Sequence, residues 1–395
     1  MDLKISNFSD INNLLNSIKR IDQGNSIDNV ISSYPKVKRN FLFLVIQEYY
    51  RNYENHNQII SRYTHSKTPK KIIIILRISL TLLFFSNKPT FSIVNDAVEE
   101  SKFLNKEKLV NAVLRNILRK KNEIKHRNLI YPNFKKILDK IFSSNLIREY
   151  IYSTLFTKPK NYQICLSDKK EAIYGKRVFI LEKKIMKDCF VQDIGNFELI
   201  NTIHKFFKDK NLIDVCAAPG GKSILLQSLG FNITAIDKSQ IQLKKLNENL
   251  SRLKIKINIQ EVDFLKNKFN NKYNSILLDA PCSALGTFRR NPDVTVKIDR
   301  SMIKKHQKIQ IEMIEKSLKI LNIGGFLAYI VCSFHPFETI DVIDKIIQKH
   351  KTVKIHSIKS DKMIKRQNGY FINPLKFKNL GGSDIFFVSV LEKIK

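Results

Sequence analysis

The sequence predicts an α/β protein in which an all-α domain precedes a doubly wound, Rossmann-like and mostly parallel sheet. Two observations indicate this fold class. From about residue 190 onward, apolar β-rich runs alternate with helical patterns, which is typical of a sheet with helices on both faces. Before about residue 125, apolar residues recur instead at helical spacing, as in Leu109, Val113, Leu114 and Ile117. Three regions are expected in chain order: an all-α domain over 1–125, a connecting region over 126–190, and the sheet domain over 191–395.

The elements of the sheet domain are justified by apolar runs that are bounded by turn residues. The expected strands are 212–217, 233–237, 257–263, 275–280, 326–332, 353–358 and 385–391. The helical patterns between them predict helices at 221–229, 239–253, 301–321 and 338–349. In an open α/β sheet, residues at the carboxyl ends of parallel strands meet in one crevice. Chemistry-bearing residues that follow these strands are therefore expected to share a pocket.

Length and composition indicate a folded protein of two or three domains, because 395 residues with 43% hydrophobic content and ten prolines argue against wholesale disorder. The longest apolar run, Ile72 to Phe85, is interrupted by Arg77 and is too short to span a bilayer, so a buried helix is expected. No N-terminal stretch has the residue order of a signal peptide. We expect a cytoplasmic protein, a monomer, with no membrane partner.

The chain contains five cysteines and no Cys-x-x-Cys pair. Zinc sites and disulfide frameworks usually show paired or regularly spaced cysteines. The pattern therefore favours neither, and no metal is expected.

A formal net charge of +33 indicates a polyanionic partner. The competing explanation is a Lys-, Ile- and Asn-rich composition in which many lysines are merely solvated. A membrane surface is the weaker alternative partner. Nucleic acid is favoured because the pocket chemistry described below requires a base. The basic run Arg115, Arg119, Lys120 and Lys121 could contact phosphate, or could be a solvated helix end that the helix dipole favours.

A glycine turn follows the first strand of the sheet domain, in the stretch Ala217-Ala-Pro-Gly-Gly-Lys222. Its glycines allow close approach of a ligand, and the next helix offers free amide groups to an anionic group. The Gly-x-Gly-x-x-Gly pattern of dinucleotide-binding sheets is absent. Asp237 ends the second strand, where it could accept hydrogen bonds from ribose hydroxyls, and Asp263 ends the third. Either acid alone could be a helix cap, but together with the turn they favour S-adenosylmethionine.

Two cysteines follow later strands, Cys282 in Asp279-Ala-Pro-Cys and Cys332 in Tyr329-Ile-Val-Cys. A thiolate that adds to carbon 6 of a pyrimidine makes carbon 5 nucleophilic enough to take a methyl group. Asp279 could hold the N3 and amino edge of the base, and a second thiol could assist the later elimination. Buried strand-end cysteines can also be plain apolar residues. The neighbouring cofactor strand makes that explanation the weaker one, although the residues alone do not rank the two thiols.

These stretches, with Arg289-Arg-Asn-Pro-Asp293 and Pro336-x-Glu338, resemble the 5-methylcytosine RNA methyltransferases, and among them the bacterial enzymes of the small ribosomal subunit. Members of that group carry a helical RNA-binding domain similar to the antiterminator NusB. The stretches 89–99 and 109–116 resemble paired helices of that domain.

The resemblance implies Cys332 as the nucleophile, Cys282 as the residue that assists product release, and Asp279 at the base. It also implies a set of cofactor-binding residues: Cys216, Ala217, Ala218, Pro219, Gly220, Gly221, Lys222, Asp237, Asp263 and Asp279. DNA cytosine methyltransferases use the residue equivalent to Cys282 as the nucleophile, so that alternative stays open. The Arg289-Arg290 pair is a plausible phosphate contact.

The sequence thus predicts S-adenosylmethionine-dependent methylation of cytosine carbon 5 in small-subunit ribosomal RNA. A transfer-RNA cytosine methyltransferase is the alternative within the same class. A non-catalytic RNA-binding factor of ribosome assembly is the alternative from another class.

Overall fold

The computed structural model describes residues 10–124 and 129–395. They form two compact units: the described residues up to Lys135 with Asn291–Lys297, and Lys136–Arg290 with Ile298–Lys395. The predicted boundary between residues 125 and 126 lies outside the described residues.

The first unit is helical, as expected. Its α-helices are α1 (Asp10–Asp22), α2 (Ile27–Ser32), α3 (Lys36–Arg51), α4 (Tyr53–Ser61), α5 (Lys70–Phe85), α6 (Thr90–Ser101) and α7 (Glu107–Arg119). Helix α5 carries the long apolar run, and Ile72, Ile75 and Leu76 on it are fully buried, which confirms the predicted buried helix. Within the described residues, no helix combines the length and apolarity that crossing a membrane requires.

Helix α7 shows why this sequence forms an amphipathic helix. Val110, Val113, Leu114 and Ile117 are buried because they recur on one face of the helix. The basic run at its end is exposed at all four positions, Arg115, Arg119, Lys120 and Lys121. Two of these side chains bond within their own unit: Arg115 Nε donates a hydrogen bond of 2.9 Å to Asn111, and the Lys121 ammonium donates one of 3.1 Å to the carbonyl of Leu83. Lys121 is therefore tied to its own unit.

The expected connecting region over 126–190 contains regular structure from residue 132 onward. It holds helices α8 (Pro132–Ile141) and α9 (Asn145–Leu155) and the strands β1 (Tyr162–Cys165), β2 (Val178–Ile180) and β3 (Cys189–Val191). These strands form an antiparallel sheet in the order β2-β1-β3. Cys165 lies opposite Cys189 in the register, and a disulfide joins them. The cysteine pattern did not predict this disulfide. The two cysteines are 24 residues apart in sequence, and the pairing of β1 with β3 brings them together.

The large sheet follows. Its strands are β4 (Asn211–Val215), β5 (Asn232–Asp237), β6 (Asn258–Glu261), β7 (Tyr273–Asp279), β8 (Leu321–Val331), β9 (Val353–His356), β10 (Met363–Arg366), β11 (Gly369–Ile372) and β12 (Phe387–Lys393). Its helices are α10 (Ile194–Ile203), α11 (Gly221–Ser228), α12 (Gln240–Leu253), α13 (Arg300–Ile320) and α14 (Ile340–Lys349).

The strand order is β10-β11-β12-β8-β7-β4-β5-β6, with β9 paired to β12. Strands β8, β7, β4, β5 and β6 are parallel, whereas β12 runs antiparallel to β8 and the remaining strands pair antiparallel beyond it. The predicted Rossmann-like sheet is thus confirmed, and it is a mixed sheet with an antiparallel edge. Helix α12 packs on β5 and β6, and α13 packs on β7 and β8.

The predicted strands and helices of the parallel half match the observed ones to within five residues, because the central strands β4, β7 and β8 are largely buried. Leu277, Ala328 and Ile330, for example, are fully buried. The hairpin of β10 and β11 was missed; its two turn residues are Gln367 and Asn368, and the Gly369 that follows them is already the first residue of β11.

Candidate active site

The carboxyl ends of β4, β5, β7 and β8 border a cleft of about 300 Å³. Helix α13 closes one side of it through Ile309 and Met313. The structure brings these residues of the predicted site to its wall: Cys216, Ala218, Asp237, Asp263, Asp279, Cys282 and Cys332. The remaining predicted residues, Ala217, Pro219, Gly220, Gly221 and Lys222, lie in the turn and first helical residues after β4.

The turn after β4 is anchored to the neighbouring strand. Cys216 has a left-handed φ of 62°, and the Ala218 amide donates a hydrogen bond of 3.2 Å to Asp237. Gly220 has a φ of 101°, a conformation that glycine adopts without strain, and it forms the N-cap of α11 without a side-chain hydrogen bond. The first amide groups of α11 therefore have no side-chain cap, which fits an anionic ligand group at this helix end.

A buried carboxyl group holds α11 against β4. Asp214 is fully buried, and the Ser223 hydroxyl donates a hydrogen bond of 2.5 Å to it. Burial raises the pKa of Asp214 to about 7. The hydrogen bond thus fixes the first turn of α11 to the end of β4.

The two acids assigned to the cofactor line the cleft and also organise their own loops. Asp237 accepts a hydrogen bond of 2.8 Å from the Ser239 amide, and Asp263 accepts one of 3.1 Å from the Leu265 amide. A carboxylate has about four lone-pair sites, so a loop contact does not exhaust it. Both explanations that the sequence left open, local cap and ligand acceptor, are compatible with this geometry.

The two site thiols are in direct contact. Cys282 Sγ and Cys332 Sγ lie 3.3 Å apart, on the segments that follow the adjacent parallel strands β7 and β8. The hydrogen bond with Cys332 and burial raise the pKa of Cys282 well above its ordinary value. Cys282 therefore keeps its proton at neutral pH.

Two cations lie on the Cys332 side of this pair: Lys222, which is buried, and Arg290, whose side chain is 38% exposed. Burial alone would lower the pKa of Lys222, but Asp279 and, more weakly, Cys332 raise it. The pKa of Arg290 is raised in the same way, mainly by Asp384 and Asp193, with a contribution from Cys332. Both cations therefore carry their positive charge on the side of the cleft where Cys332 lies.

Asp279 is paired with a residue of the turn. The Lys222 ammonium donates a hydrogen bond of 2.6 Å to Asp279 Oδ2. The Asp279 side chain keeps 29% of its surface exposed, whereas that of Lys222 keeps 9%. Asp279 can therefore meet a ligand in the cleft, while Lys222 orients it from behind.

A buried glutamate joins the two thiol-bearing segments, and no role for it followed from the sequence. Glu338 Oε1 accepts from the Ser283 amide at 2.7 Å and lies 3.0 Å from His306 Nδ1. Glu338 Oε2 accepts from the hydroxyls of Ser283 at 2.5 Å and Ser333 at 2.6 Å. Burial would raise the pKa of Glu338, but these hydrogen bonds together lower it. The motif Pro336-x-Glu338 was its only sequence signal.

The Arg289-Arg290 pair does not match the suggested phosphate contact at both positions. Arg289 is only 3% exposed and donates a hydrogen bond of 2.5 Å to the carbonyl of Gly381. Arg290 forms an ion pair with buried Asp384. Arg289 therefore stabilises the loop before β12, and it is not available to a phosphate.

Two family profiles match the chain. The profile of 16S rRNA methyltransferase RsmB/F matches residues 202–392, and the profile of the NusB family matches residues 10–119. The first covers the large sheet with the cleft, and the second covers the helices α1 to α7.

Curated relatives carry the same description. The ribosomal RNA small subunit methyltransferase B of Serratia proteamaculans is 32% identical over 164 residues, which are 40% of this chain and 38% of that protein. The protein of the same description from Shewanella oneidensis is 27% identical over 314 residues, 70% of this chain and 73% of that protein. With three of the relatives, the match spans only 38 to 46% of the relative's own length.

Solved structures support the fold. The crystal structure of PH0851 superposes with a TM-score of 0.70 at 15% identity, covering 97% of this chain and 98% of that one. The structure of a methyltransferase homolog protein from Pyrococcus horikoshii gives a TM-score of 0.51 at 19% identity, covering 67% of this chain and all of that one. Residues 10–119 thus match the NusB family and residues 202–392 match the 16S rRNA methyltransferase RsmB/F family, and the solved structures agree with the fold.

Proposed function

We propose that the protein is an S-adenosylmethionine-dependent RNA methyltransferase that modifies carbon 5 of a cytosine in small-subunit ribosomal RNA. The observation that carries this proposal is the pair of thiols, 3.3 Å apart, at the ends of adjacent strands in a cleft that Asp279 also lines. Methyl transfer to carbon 5 of a pyrimidine needs a nucleophile, and also a group that assists its later departure. The two thiols could supply both groups, because they lie side by side in the same cleft.

In this proposal Cys332 is the nucleophile. Its sulfur bonds to carbon 6, and carbon 5 gains the methyl group. Water in the cleft then takes the proton of carbon 5, and the sulfur–carbon bond breaks to release the product and the Cys332 thiolate. Lys222 and Arg290 lie on the Cys332 side, whereas the hydrogen bond with Cys332 and burial raise the pKa of Cys282. The protonated Cys282, 3.3 Å away, is therefore placed to give a proton to the departing Cys332 sulfur. Asp279, oriented by Lys222, faces the polar edge of the base.

The cleft fits the cofactor that the family implies. S-adenosylmethionine supplies the methyl group when it is bound. The uncapped start of α11 suits its anionic end, and Asp237 at the end of β5 suits its ribose hydroxyls. Asp263 lies further along the same wall.

Ribosomal RNA is the proposed substrate because the matched relatives are described as small subunit methyltransferases and the helical unit matches the NusB family. The net charge of +33 supports a nucleic-acid partner. We propose that the protein acts as a monomer in the cytoplasm, where small subunits are assembled.

Bisulfite sequencing of total RNA from cells with and without the gene tests the proposed reaction. We expect one or a few small-subunit cytosines to lose their protection when the gene is deleted. Loss of protection in transfer RNA alone would support the alternative substrate. Unchanged protection in every RNA, together with unimpaired RNA binding, would support the non-catalytic alternative.

Replacing Asp237 with alanine should weaken cofactor binding, because the ribose loses its acceptor and the Ala218 and Ser239 amides lose their anchor. A cost of about 1–3 kcal/mol corresponds to roughly 5- to 150-fold in affinity. Titration calorimetry with S-adenosylmethionine measures it, and Asp237→Asn, which keeps one acceptor oxygen, should fall between alanine and wild type. Equal affinity for all three proteins would remove Asp237 from the cofactor site.

Replacing Arg115, Arg119 and Lys120 with alanine should flatten the salt dependence of RNA binding, because these basic residues are exposed at the end of α7. Each phosphate contact that is lost reduces the slope of log affinity against log salt by about 0.7–0.9, so three contacts give about 2–3 units. Filter binding at several salt concentrations measures the slope. Lys121→Ala, which removes one exposed charge that donates to the Leu83 carbonyl, is the comparison for the loss of a single charge at the same helix end. A triple variant with the wild-type slope would show that these charges are only solvated.

A further inference from the structure

We propose that Glu338 is a positioning residue that sets the spacing of the two site thiols. The inference rests on the proposed function only for its catalytic consequence, because the spacing itself is a property of the free protein. Glu338 touches neither thiol. It holds the residues that directly follow them in the chain, Ser283 after Cys282 and Ser333 after Cys332.

The contacts place one carboxylate between two separate segments of the chain. Ser283 follows β7 and binds Glu338 through both its amide and its hydroxyl, at 2.7 and 2.5 Å. Ser333 follows β8 and binds through its hydroxyl at 2.6 Å. The two hydroxyls also lie 3.2 Å from each other. Each cysteine thus precedes a serine that binds the Glu338 carboxylate. A shift of this carboxylate would therefore change the distance between the two sulfurs.

Further contacts make this carboxylate rigid. Glu338 is fully buried, and its backbone carbonyl accepts a hydrogen bond of 2.7 Å from the Tyr329 hydroxyl on β8. His306 Nδ1 on α13 lies 3.0 Å from the same Oε1. Leaving such a group without its partners is costly, so the carboxylate and the serines stabilise one arrangement of both segments.

The proposed chemistry explains why the spacing matters. Cys332 must reach carbon 6 while Cys282 stays close enough to assist the release of the same base. A displacement of about 1 Å at a reacting group can cost roughly 100-fold in rate. Glu338 therefore contributes to catalysis through the relative position of two groups, without any contact to the substrate.

The isosteric variant separates position from charge. In Glu338→Gln the amide oxygen can keep the place of Oε1, where the Ser283 amide must donate. The amide nitrogen can replace Oε2, because the two serine hydroxyls can accept as well as donate. If Glu338 acts by position, Glu338→Gln should retain most of the function that Glu338→Ala loses. If it acts by its negative charge on Cys282, the two variants should behave alike.

A trivalent arsenical, phenylarsine oxide, reads the thiol spacing directly. It condenses with two nearby thiols, forming two arsenic–sulfur bonds and releasing one water, and it needs neither RNA nor cofactor. We expect wild type and Glu338→Gln to form the bridge between Cys282 and Cys332, located by peptide mapping. Glu338→Ala should bind the arsenical at least about tenfold more weakly, since the second thiol no longer reinforces the first. Cys282→Ala and Cys332→Ala should form no bridge between these two positions.

The catalytic arm uses single-turnover methylation across a range of pH. We expect Glu338→Ala to lose about 100-fold in rate with little change in cofactor affinity, and Glu338→Gln to stay near wild type with an unshifted pH profile. Thr339→Val is the matched control, because it removes a hydrogen bond to His335 in the same turn without a contact to Ser283 or Ser333. It should leave both readouts unchanged.

Two results would overturn the proposal. One is wild-type arsenical bridging in folded Glu338→Ala. The other is a Glu338→Gln protein that has the wild-type melting temperature but no longer bridges the arsenical. This second result decides the question even if Glu338→Ala fails to fold. If wild type bridges the arsenical but methylates no RNA, the proposed function fails and the positional role of Glu338 stands.

Discussion

Replacing Cys332 with alanine should abolish methyl transfer and the covalent complex with RNA that carries 5-fluorocytosine at the target position. Fluorine at carbon 5 blocks the elimination that normally frees the enzyme, so the wild-type protein should remain attached to such RNA. Without the Cys332 sulfur the bond to carbon 6 cannot form. Removal of a catalytic nucleophile commonly costs a factor of about 10⁴ or more. Denaturing gel electrophoresis shows the complex, and transfer of labelled methyl groups shows the rate.

Cys282→Ala is the matched control, because the second thiol lies 3.3 Å away in the same cleft. It should still attack the base but release the product slowly, so a stable complex should accumulate even with unmodified RNA. The opposite pattern, with the complex kept in Cys332→Ala and lost in Cys282→Ala, would exchange the two roles. It would agree with the arrangement of the DNA cytosine methyltransferases.

The structure shows the surroundings of the two thiols, which the residues alone did not reveal. The sequence predicted both cysteines in one pocket, and only the resemblance ranked them. In the folded protein, Lys222 and Arg290 lie on the Cys332 side, whereas the hydrogen bond with Cys332 and burial raise the pKa of Cys282, with a contribution from Glu338. These neighbours are distant in sequence and meet only at the strand ends. The order of the two roles stays a prediction, which the two cysteine variants test.

Much of the parallel half of the sheet was predictable for a simple reason. Its central strands β7 and β8 contain apolar runs, and β4, β5, β7 and β8 end at or just before residues whose side chains can bind ligands or react. Asp237, Asp279 and Cys332 could be placed in one cleft because parallel strands end at the same edge of a sheet.

The unpredicted features depend on contacts between distant segments. The disulfide of Cys165 and Cys189 needs the pairing of β1 and β3, and the ion pair of Lys222 with Asp279 needs the turn after β4 to face β7. The carboxylate of Glu338 is bound by Ser283, His306 and Ser333, which lie on three different segments, and no local sequence pattern predicts these contacts. The burial of Arg289 was missed because an arginine in a loop is usually exposed.

Gly286 is another residue whose importance is visible only in the fold, and its replacement by alanine should have a large effect on stability. A Cβ atom at this position would lie 1.9 Å from the carbonyl oxygen of Ile385 and 3.1 Å from that of Cys332. The Gly286 amide donates a hydrogen bond of 2.9 Å to the Cys332 carbonyl, and its own carbonyl accepts one of 3.0 Å from Ile385. Backbone must therefore move, since no flexible side chain can make room.

We expect Gly286→Ala to lower the free energy of unfolding by about 3 kcal/mol or more, since the clash is with backbone atoms in a closely packed region. For a unit of this size the melting temperature should fall by roughly 6–12 °C. Because the strained backbone also carries Cys332, the fraction of protein trapped on 5-fluorocytosine RNA should decrease even below the melting temperature. Calorimetric melting and the trapping experiment together measure both effects.

Gly324→Ala is the control for a general effect of removing a glycine. Its φ of 76° makes a side chain unfavourable, but a Cβ atom there would meet nothing within 4 Å. It should cost only about 1–2 kcal/mol, through the backbone conformation alone, and should leave trapping unchanged because it lies at the opposite end of β8 from Cys332. A Gly286→Ala protein with the same melting temperature as Gly324→Ala and with wild-type trapping of RNA would contradict this. It would show that the segments after β7 and β8 can move apart without loss of stability or of covalent trapping. The close packing that joins the Cys332 backbone to the loop before β12 would then have no part in placing the nucleophile.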